Sequence, residues 1–435
     1  MKNVSIDVKH VTRVEGHGNI TIRVQDGAIT RLELAIVESP RFFEAFLRGR
    51  KYDEAPHITC RICGICSVGH TTASVKAVEA ACGIEPSEQT VLLRKLILYG
   101  EELQSHFLHL YFLAVPDYFG VGSVIPLAKT HPDVVRRALR MKKLANDICA
   151  VVGGRHIHPI ALHVGGITHV PRDEELLDLK RRLEATRADL AETAALFATL
   201  KVPQLERPTE YVSLKTQNGE YAFYDGDIVS TLDPKPTKAA DYRSRILETV
   251  VEHSAAKHCR SPNSPTYAVG ALARFNNNHS QLHPTARQIA RTLGLEPICN
   301  NPYHNNTAQL IESVHCVEAA IEILDTLLTH GMQVEPLRKP TRHGLGAGLA
   351  EVPRGLLVHE YGIDAKNRIE SANLIIPTGQ NLANIEEDMR ALVPPLLESG
   401  LGKEQITLQL EMLVRAYDPC ISCATHMLDI KWDET

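Results

Sequence analysis

A chain of 435 residues with 44% hydrophobic side chains can bury a large core, and aromatics at 5% leave that core to Leu, Ile, Val and Ala. The formal net charge of −5 and the scattered Lys and Arg exclude a basic surface for nucleic acid. No run of 18 apolar residues occurs, so no membrane-spanning helix is expected. The chain opens Met1-Lys2-Asn3-Val4-Ser5-Ile6-Asp7 without an apolar leader. Its 10 cysteines are therefore expected as reduced thiols in a cytoplasmic protein, used for metal or packing rather than disulfides.

Residues 4–37 read as a strand pair or small sheet. Ile20, Ile22 and Val24 alternate with polar residues, Asp26-Gly27 makes a hairpin turn, and Leu32, Leu34 and Ile36 alternate again. Helical periodicity follows over 91–113, with Ser87 as a start signal, and over 133–152, between Pro132 and Gly153-Gly154. A long amphipathic helix over 173–201 carries Leu176, Leu179, Leu183, Leu190 and Phe197 on one side and a solvated charged face on the other. Residues 203–236 turn polar, with Gly and Tyr, and read as irregular or β. Helices over 307–330 and 405–416 and a β stretch over 355–376 complete the reading. The expected fold class is mainly α with small peripheral β-sheets (α+β), built on a central bundle of long helices. One large domain spans 1–435, with a β segment at 1–37, helices at 38–202, an insertion at 203–236, helices with a β stretch at 237–426 and a short tail at 427–435.

Two Cys-x-x-Cys pairs lie near opposite ends: Cys63 and Cys66, and Cys420 and Cys423. Two intervening residues let both sulfurs of a pair face one centre, and four thiolates suit Zn, Fe, Ni or Cu. Such a centre requires the chain ends to meet. Structural zinc usually takes pairs roughly 15 to 20 residues apart; here about 350 residues intervene. A zinc scaffold also leaves the flanking residues unexplained. Arg61 and His70 flank the first pair, and Asp418-Pro419 and His426 flank the second.

With these flanks the chain resembles the large subunit of [NiFe]-hydrogenase. The motifs Arg-x-Cys-Gly-x-Cys-x-x-x-His and Asp-Pro-Cys-x-x-Cys-x-x-His are that family's two signatures, and both are complete. The resemblance implies that Cys63, Cys66, Cys420 and Cys423 bind nickel. Cys66 and Cys423 would also bridge to an iron carrying carbon monoxide and cyanide ligands. The implied activity is reversible heterolytic cleavage of dihydrogen to protons and electrons.

The same resemblance implies roles for further residues. Thr12-Arg13-Val14-Glu15-Gly16-His17 matches the segment whose glutamate, here Glu15, passes protons between a terminal cysteine and the exterior. Glu44, the backbone carbonyl of Leu374, and His426 match the ligands of a magnesium, or an iron, near the C-terminus. Arg354, in Glu351-Val352-Pro353-Arg354-Gly355, would sit as a fixed cation, or briefly as a base, beside bound dihydrogen. Asp117 and Asp418 match the acids that hold that arginine. His70 is expected to donate to a cysteine sulfur. His106 and His109 share a helix face and read as packed, hydrogen-bonded histidines. Cys60, directly before Arg61, has no role in this pattern and reads as a packed thiol, and Cys82, Cys149, Cys259, Cys299 and Cys316 lack ligand spacing and read as buried thiols.

No ferredoxin-like cysteine run occurs, so an iron–sulfur relay is expected on a small partner subunit. No Gly-x-Gly-x-x-Gly fingerprint occurs either. Likeness to the cytoplasmic, cofactor-coupled branch implies further flavin and iron–sulfur subunits that exchange electrons with NAD(P) or another soluble carrier. The tail 427–435 resembles one that a maturation protease removes after nickel-insertion proteins have acted. The rival readings are a zinc scaffold and a respiratory-complex relative, and retention of all four cysteines argues against the latter.

Overall fold

The computed structural model describes residues 3–425. The N-terminal alternation forms an antiparallel sheet of β1 (Val4–Val8), β2 (Gly18–Gln25) and β3 (Ala28–Ile36), in that order. Asp26 and Gly27 take φ of 49° and 85°, the two positive values that a tight hairpin between right-twisted strands requires.

Among the helices of the described residues, in chain order, are α1 (Phe43–Leu47), α2 (Ser67–Cys82), α3 (Glu88–Leu108), α4 (Pro132–Gly153), α5 (Asp173–Phe197), α6 (Ala271–Asn278), α7 (Asn305–His330), α8 (Pro377–Glu398), α9 (Lys403–Ala416) and the single turn α10 (Ile421–Ala424). Ser87 caps α3, its Oγ accepting from Thr90 N at 3.1 Å. Beyond Leu108 the chain does not stop but widens into a π-type stretch, His109–Ala114. The bundle pairs α3 with α4, α5 with α7, and α3 with α7. Further antiparallel pairings include β4 (Glu210–Lys215) with β5 (Asp227–Ser230), and β7 (Leu345–Val352) with β8 (Gly355–Ile363), which also pairs β9 (Ile369–Ile375). The short strand β6 (His258–Arg260) lies between these two groups in the chain. The expected β stretch is thus β8 and β9, and β7 joins it.

Three of the elements that the sequence pattern does not mark bear on the site. Helix α2 is buried on nearly every side, from Ser67 through Val78, so it has no polar face to mark its period. Helix α8 carries Pro394 and Pro395, which disguise its C-terminal half. Strand β7 lies against α2 at Gly346 and Gly348. A Cβ there would sit 2.2 Å from Ala81 N and 2.2 Å from Ala73 O respectively. Glycines facing an alanine ridge bring the sheet backbone onto the helix that begins immediately after Cys66.

Candidate metal centre

The two ends of the chain meet. One sulfur from each of Cys63, Cys66, Cys420 and Cys423 lies within 4.8 Å of all the others, and all four residues are buried. Cys63 and Cys420 are 3.4 Å apart, Cys66 and Cys423 3.8 Å, and Cys420 and Cys423 2.7 Å. None is in a disulfide. Each pair is placed by local backbone. Cys63 Sγ accepts from Ile65 N (3.2 Å) and Cys66 N (3.3 Å), the turn that a two-residue spacing provides. Cys420 N donates to Thr378 Oγ1 on α8 at 3.0 Å.

The N-terminal segment joins the second pair directly. Glu15 and Cys420 form a parallel bridge, with Ile421 N donating to Glu15 O at 3.0 Å. This approach needs Gly16, at φ 85°, because a Cβ there would lie 2.7 Å from Ile421 Cβ and 2.9 Å from Ser422 N. The Glu15 side chain then accepts from Ser422 N at 3.0 Å and lies 3.2 Å from Cys420 Sγ. Arg41 ties both loops together, donating to Ile62 O at 2.7 Å and to Ser422 O.

Charge at the site is uneven. Contact with Cys420 holds the Cys63 thiol well below its ordinary value, whereas contact with Cys423 pushes Cys420 well above it. The Cys420 contact draws Cys66 down, but Cys423, Cys63 and burial outweigh it and leave it high. Burial first of all raises Cys423 to about 11. Four crowded thiols therefore cannot all ionise by themselves, and a bound cation is what would let them. Soft, buried thiolates that need a cation fit a nickel centre.

Arg354 supplies one positive charge. Its Nε donates to Asp418 O (2.7 Å), Nη2 to Asp418 Oδ1 (2.8 Å) and Nη1 to Ser105 Oγ (3.1 Å). Burial opposes its charge, but Asp418 and the thiolates prevail and raise its pKa. Asp418 itself takes φ 50°, the turn that aims Pro419-Cys420 inward.

Asp117 is a correction. It does not hold Arg354; it binds Arg13, and Arg415 at 2.8 and 3.0 Å. Arg354 finds Ser105, on α3, beside Asp418. Asp117 instead clamps the two chain ends, since Arg13 precedes Glu15 and Arg415 precedes the second cysteine pair. His70 Nδ1 lies 3.1 Å from His359 Nε2, whose ring reaches Tyr361 Oη at 2.7 Å. Glu44, buried on α1, accepts from the backbone N–H of Leu374 at 2.8 Å, so these two residues adjoin. His426 and the tail 427–435 lie outside the described residues. His106 and His109 are packed as expected. His106 reaches Glu312 at 3.0 Å, and His109 reaches Gln309 at 2.6 Å and Arg415 O at 2.7 Å.

Ser105, Arg41 and Glu101 were missed. Glu101 accepts from Val68 N (2.6 Å) and Gly69 N (2.8 Å) at the start of α2. Burial lifts it to about 8 despite those donors. Its position one helical turn before Ser105 is a usable signal only once α3 is oriented.

The family described as "Nickel-dependent hydrogenase" matches residues 41–133 and 250–426, and a second, "HoxL-like", matches 5–38. The alpha subunit of sulfhydrogenase 1 from Pyrococcus furiosus is 34% identical over 432 residues, 98% of this chain and 100% of that protein. A polypeptide of the F420-non-reducing hydrogenase of Methanothermobacter marburgensis is 34% identical over 456 residues, 98% of this chain and 95% of its own length. Among solved structures, an NAD+-reducing [NiFe]-hydrogenase in the H2-reduced state superposes with a TM-score of 0.89 at 29% identity, over 98% of this chain and 100% of that one.

Proposed function

This chain belongs to the nickel-dependent hydrogenase family, as its large, catalytic subunit, and on that premise we propose how its own residues serve reversible dihydrogen cleavage. The observation that carries the reading is the convergence of four buried sulfurs from opposite chain ends within 4.8 Å. Cys63, Cys66, Cys420 and Cys423 would hold nickel, and Cys66 and Cys423 would share an iron bearing carbonyl and cyanide ligands. When bound, that centre supplies the redox-active, open coordination position at which dihydrogen is split heterolytically.

Cys420 Sγ is the proton-accepting thiolate in this reading, because Glu15 lies within 3.2 Å of it. Glu15 takes the proton there and releases it outward along the N-terminal segment. Arg354 is a cation positioned by Asp418 and Ser105, and it fixes the field over the sulfurs without rotating. His70 is oriented by His359. Glu44, Leu374 and His426 would hold magnesium or iron close to the second cysteine pair.

Electrons leave to a small iron–sulfur partner, then to further electron-transfer subunits, flavin-bearing in our reading. The final acceptor is NAD(P) or another soluble carrier in our reading, in keeping with the NAD+-reducing [NiFe]-hydrogenase on which the chain superposes. No helix among the described residues is long and apolar enough to cross a membrane, and we place the protein in the cytoplasm. Nickel-insertion proteins would load the thiol site, after which a maturation protease would remove the tail 427–435. The test is dihydrogen-dependent dye reduction by the complex purified from its native host. Activity is expected in the wild type and absent in Cys420→Ser, and a wild-type complex inert to dihydrogen would overturn the reading.

A further inference from the structure

Two other clusters of metal-ligating side chains lie outside the thiol centre: Glu102, His106 and Glu312, and His253, His258 and Glu386. The first already holds a cation. Arg274 reaches Glu312 at 2.6 Å and Glu102 at 3.8 Å, so a guanidinium fills the position. In the second, no Arg or Lys side chain among the described residues bonds His253, His258 or Glu386, which leaves the position between them to another cation. His253 and His258 each bring one ring nitrogen, and Glu386 one carboxylate oxygen, within 4.8 Å of one another. His253 Nε2 and Leu34 N both bond Glu386, at 2.8 Å each, and both bonds fall on Oε1. The His253 and His258 rings meet edge to face at 5.4 Å.

The independent observation is His258. It is 6% exposed, and its Nε2 is buried with no hydrogen-bond partner among the described residues. A buried imidazole nitrogen left unpaired costs free energy that a ligand would recover. Nearby charge permits a cation: Glu33 is close to His253 but is forked by Arg31, and Arg390, whose charge reaches Glu386, bonds Glu387. His253 and Glu386 keep 22% and 13% of their side chains exposed, so the cluster opens to solvent on one side.

We propose that His253, His258 and Glu386 form a second metal site, for a borderline divalent transition ion such as zinc or nickel. Two imidazoles and one carboxylate suit such ions, and the open side gives water the fourth position. Three segments converge on the ion: the loop leading into β6, helix α8, and, through Glu386, strand β3. Ala255 N also donates to Ile36 O at 2.9 Å. A bound ion would thus clamp the N-terminal sheet to α8, whose first turn supplies Thr378 to Cys420. This site stands apart from the hydrogenase reading.

The test uses the holo-complex from its native host, with the four cysteines occupied, stripped of loosely held ions by a chelator. Cobalt(II) is added and followed by visible absorption, with zinc and nickel(II) in parallel titration calorimetry. One additional ion per chain is expected, with nitrogen–oxygen rather than thiolate-to-cobalt bands. Affinity should fall at least about tenfold in His258→Ala, in Glu386→Gln and in the partly exposed His253→Ala. An added ion should also raise the melting temperature of the wild type and not of these variants. No additional ion in the wild type, or binding unchanged in all three variants, would overturn the site.

Discussion

Glu15 Oε2 lies 3.2 Å from Cys420 Sγ, although 405 residues separate them. Ser422 N donates to the same oxygen at 3.0 Å, so the carboxylate is anchored while facing the sulfur. In Glu15→Gln an amide oxygen can still accept from Ser422 N but cannot carry a proton. Nickel content and fold should be unchanged, and dihydrogen turnover should fall by about 10²-fold or more. Turnover near the wild-type level would remove Glu15 from the proton path.

The clamp at Asp117 is a stability device. Its partners Arg13 and Arg415 keep only 14% and 1% of their side chains exposed. Asp117→Ala removes the carboxylate that both guanidiniums share, leaving Arg415 only Glu411 at 3.6 Å as a counter-charge, and should cost about 3–5 kcal/mol in denaturant unfolding. Asp133→Ala breaks the exposed pair with Arg136 and should cost less than about 0.5 kcal/mol. Equal losses in the two variants would contradict the clamp.

Close packing of β7 on α2 gives a third expectation. Gly348→Val forces a side chain into Ala73 O, which a Cβ alone would approach to 2.2 Å. The cost should be about 1–3 kcal/mol or more, and nickel retention should drop because α2 positions Cys66. Gly122→Ala, with nothing within 4 Å of the added Cβ, serves as the neutral control.

Two buried carboxyls around Arg274 give opposite pH dependences. Burial raises Glu351 to about 7, against the pull of Arg274 and Leu214 N. The folded state thus keeps a proton that the unfolded chain loses near 4.5. That stability is whole below pH 4.5 and disappears as pH rises through 7. For Glu312, burial opposes the charge but Arg274 outweighs it, bringing it to about 2. Its contribution is present above 4.5 and lost as pH falls towards 2. In Glu351→Gln, urea midpoints at about pH 5 and about pH 7.5 should differ less than in the wild type. An unchanged difference would show that Glu351 titrates normally.

The sequence made the cysteine pairs legible because two-residue spacing and the flanking Arg, His and Asp-Pro survive without a fold. It also showed the helices with a polar face, such as α5. Helix α2 was hidden because burial on all sides erases periodicity. Asp117 pairs with Arg13 and Arg415 from opposite ends of the chain, a contact that residue spacing alone does not reveal. His253 and Glu386 stand 133 positions apart in separate elements, and only tertiary packing brings them together.

The central claim is a nickel–iron pair held by both ends of the chain. Infrared spectroscopy of the complex from its native host, with elemental analysis of the same sample, tests it most directly. The account predicts metal-bound carbonyl and cyanide bands with nickel at about one per chain, both lost in Cys423→Ser. Zinc in place of nickel, with no such bands in the wild type, would contradict it.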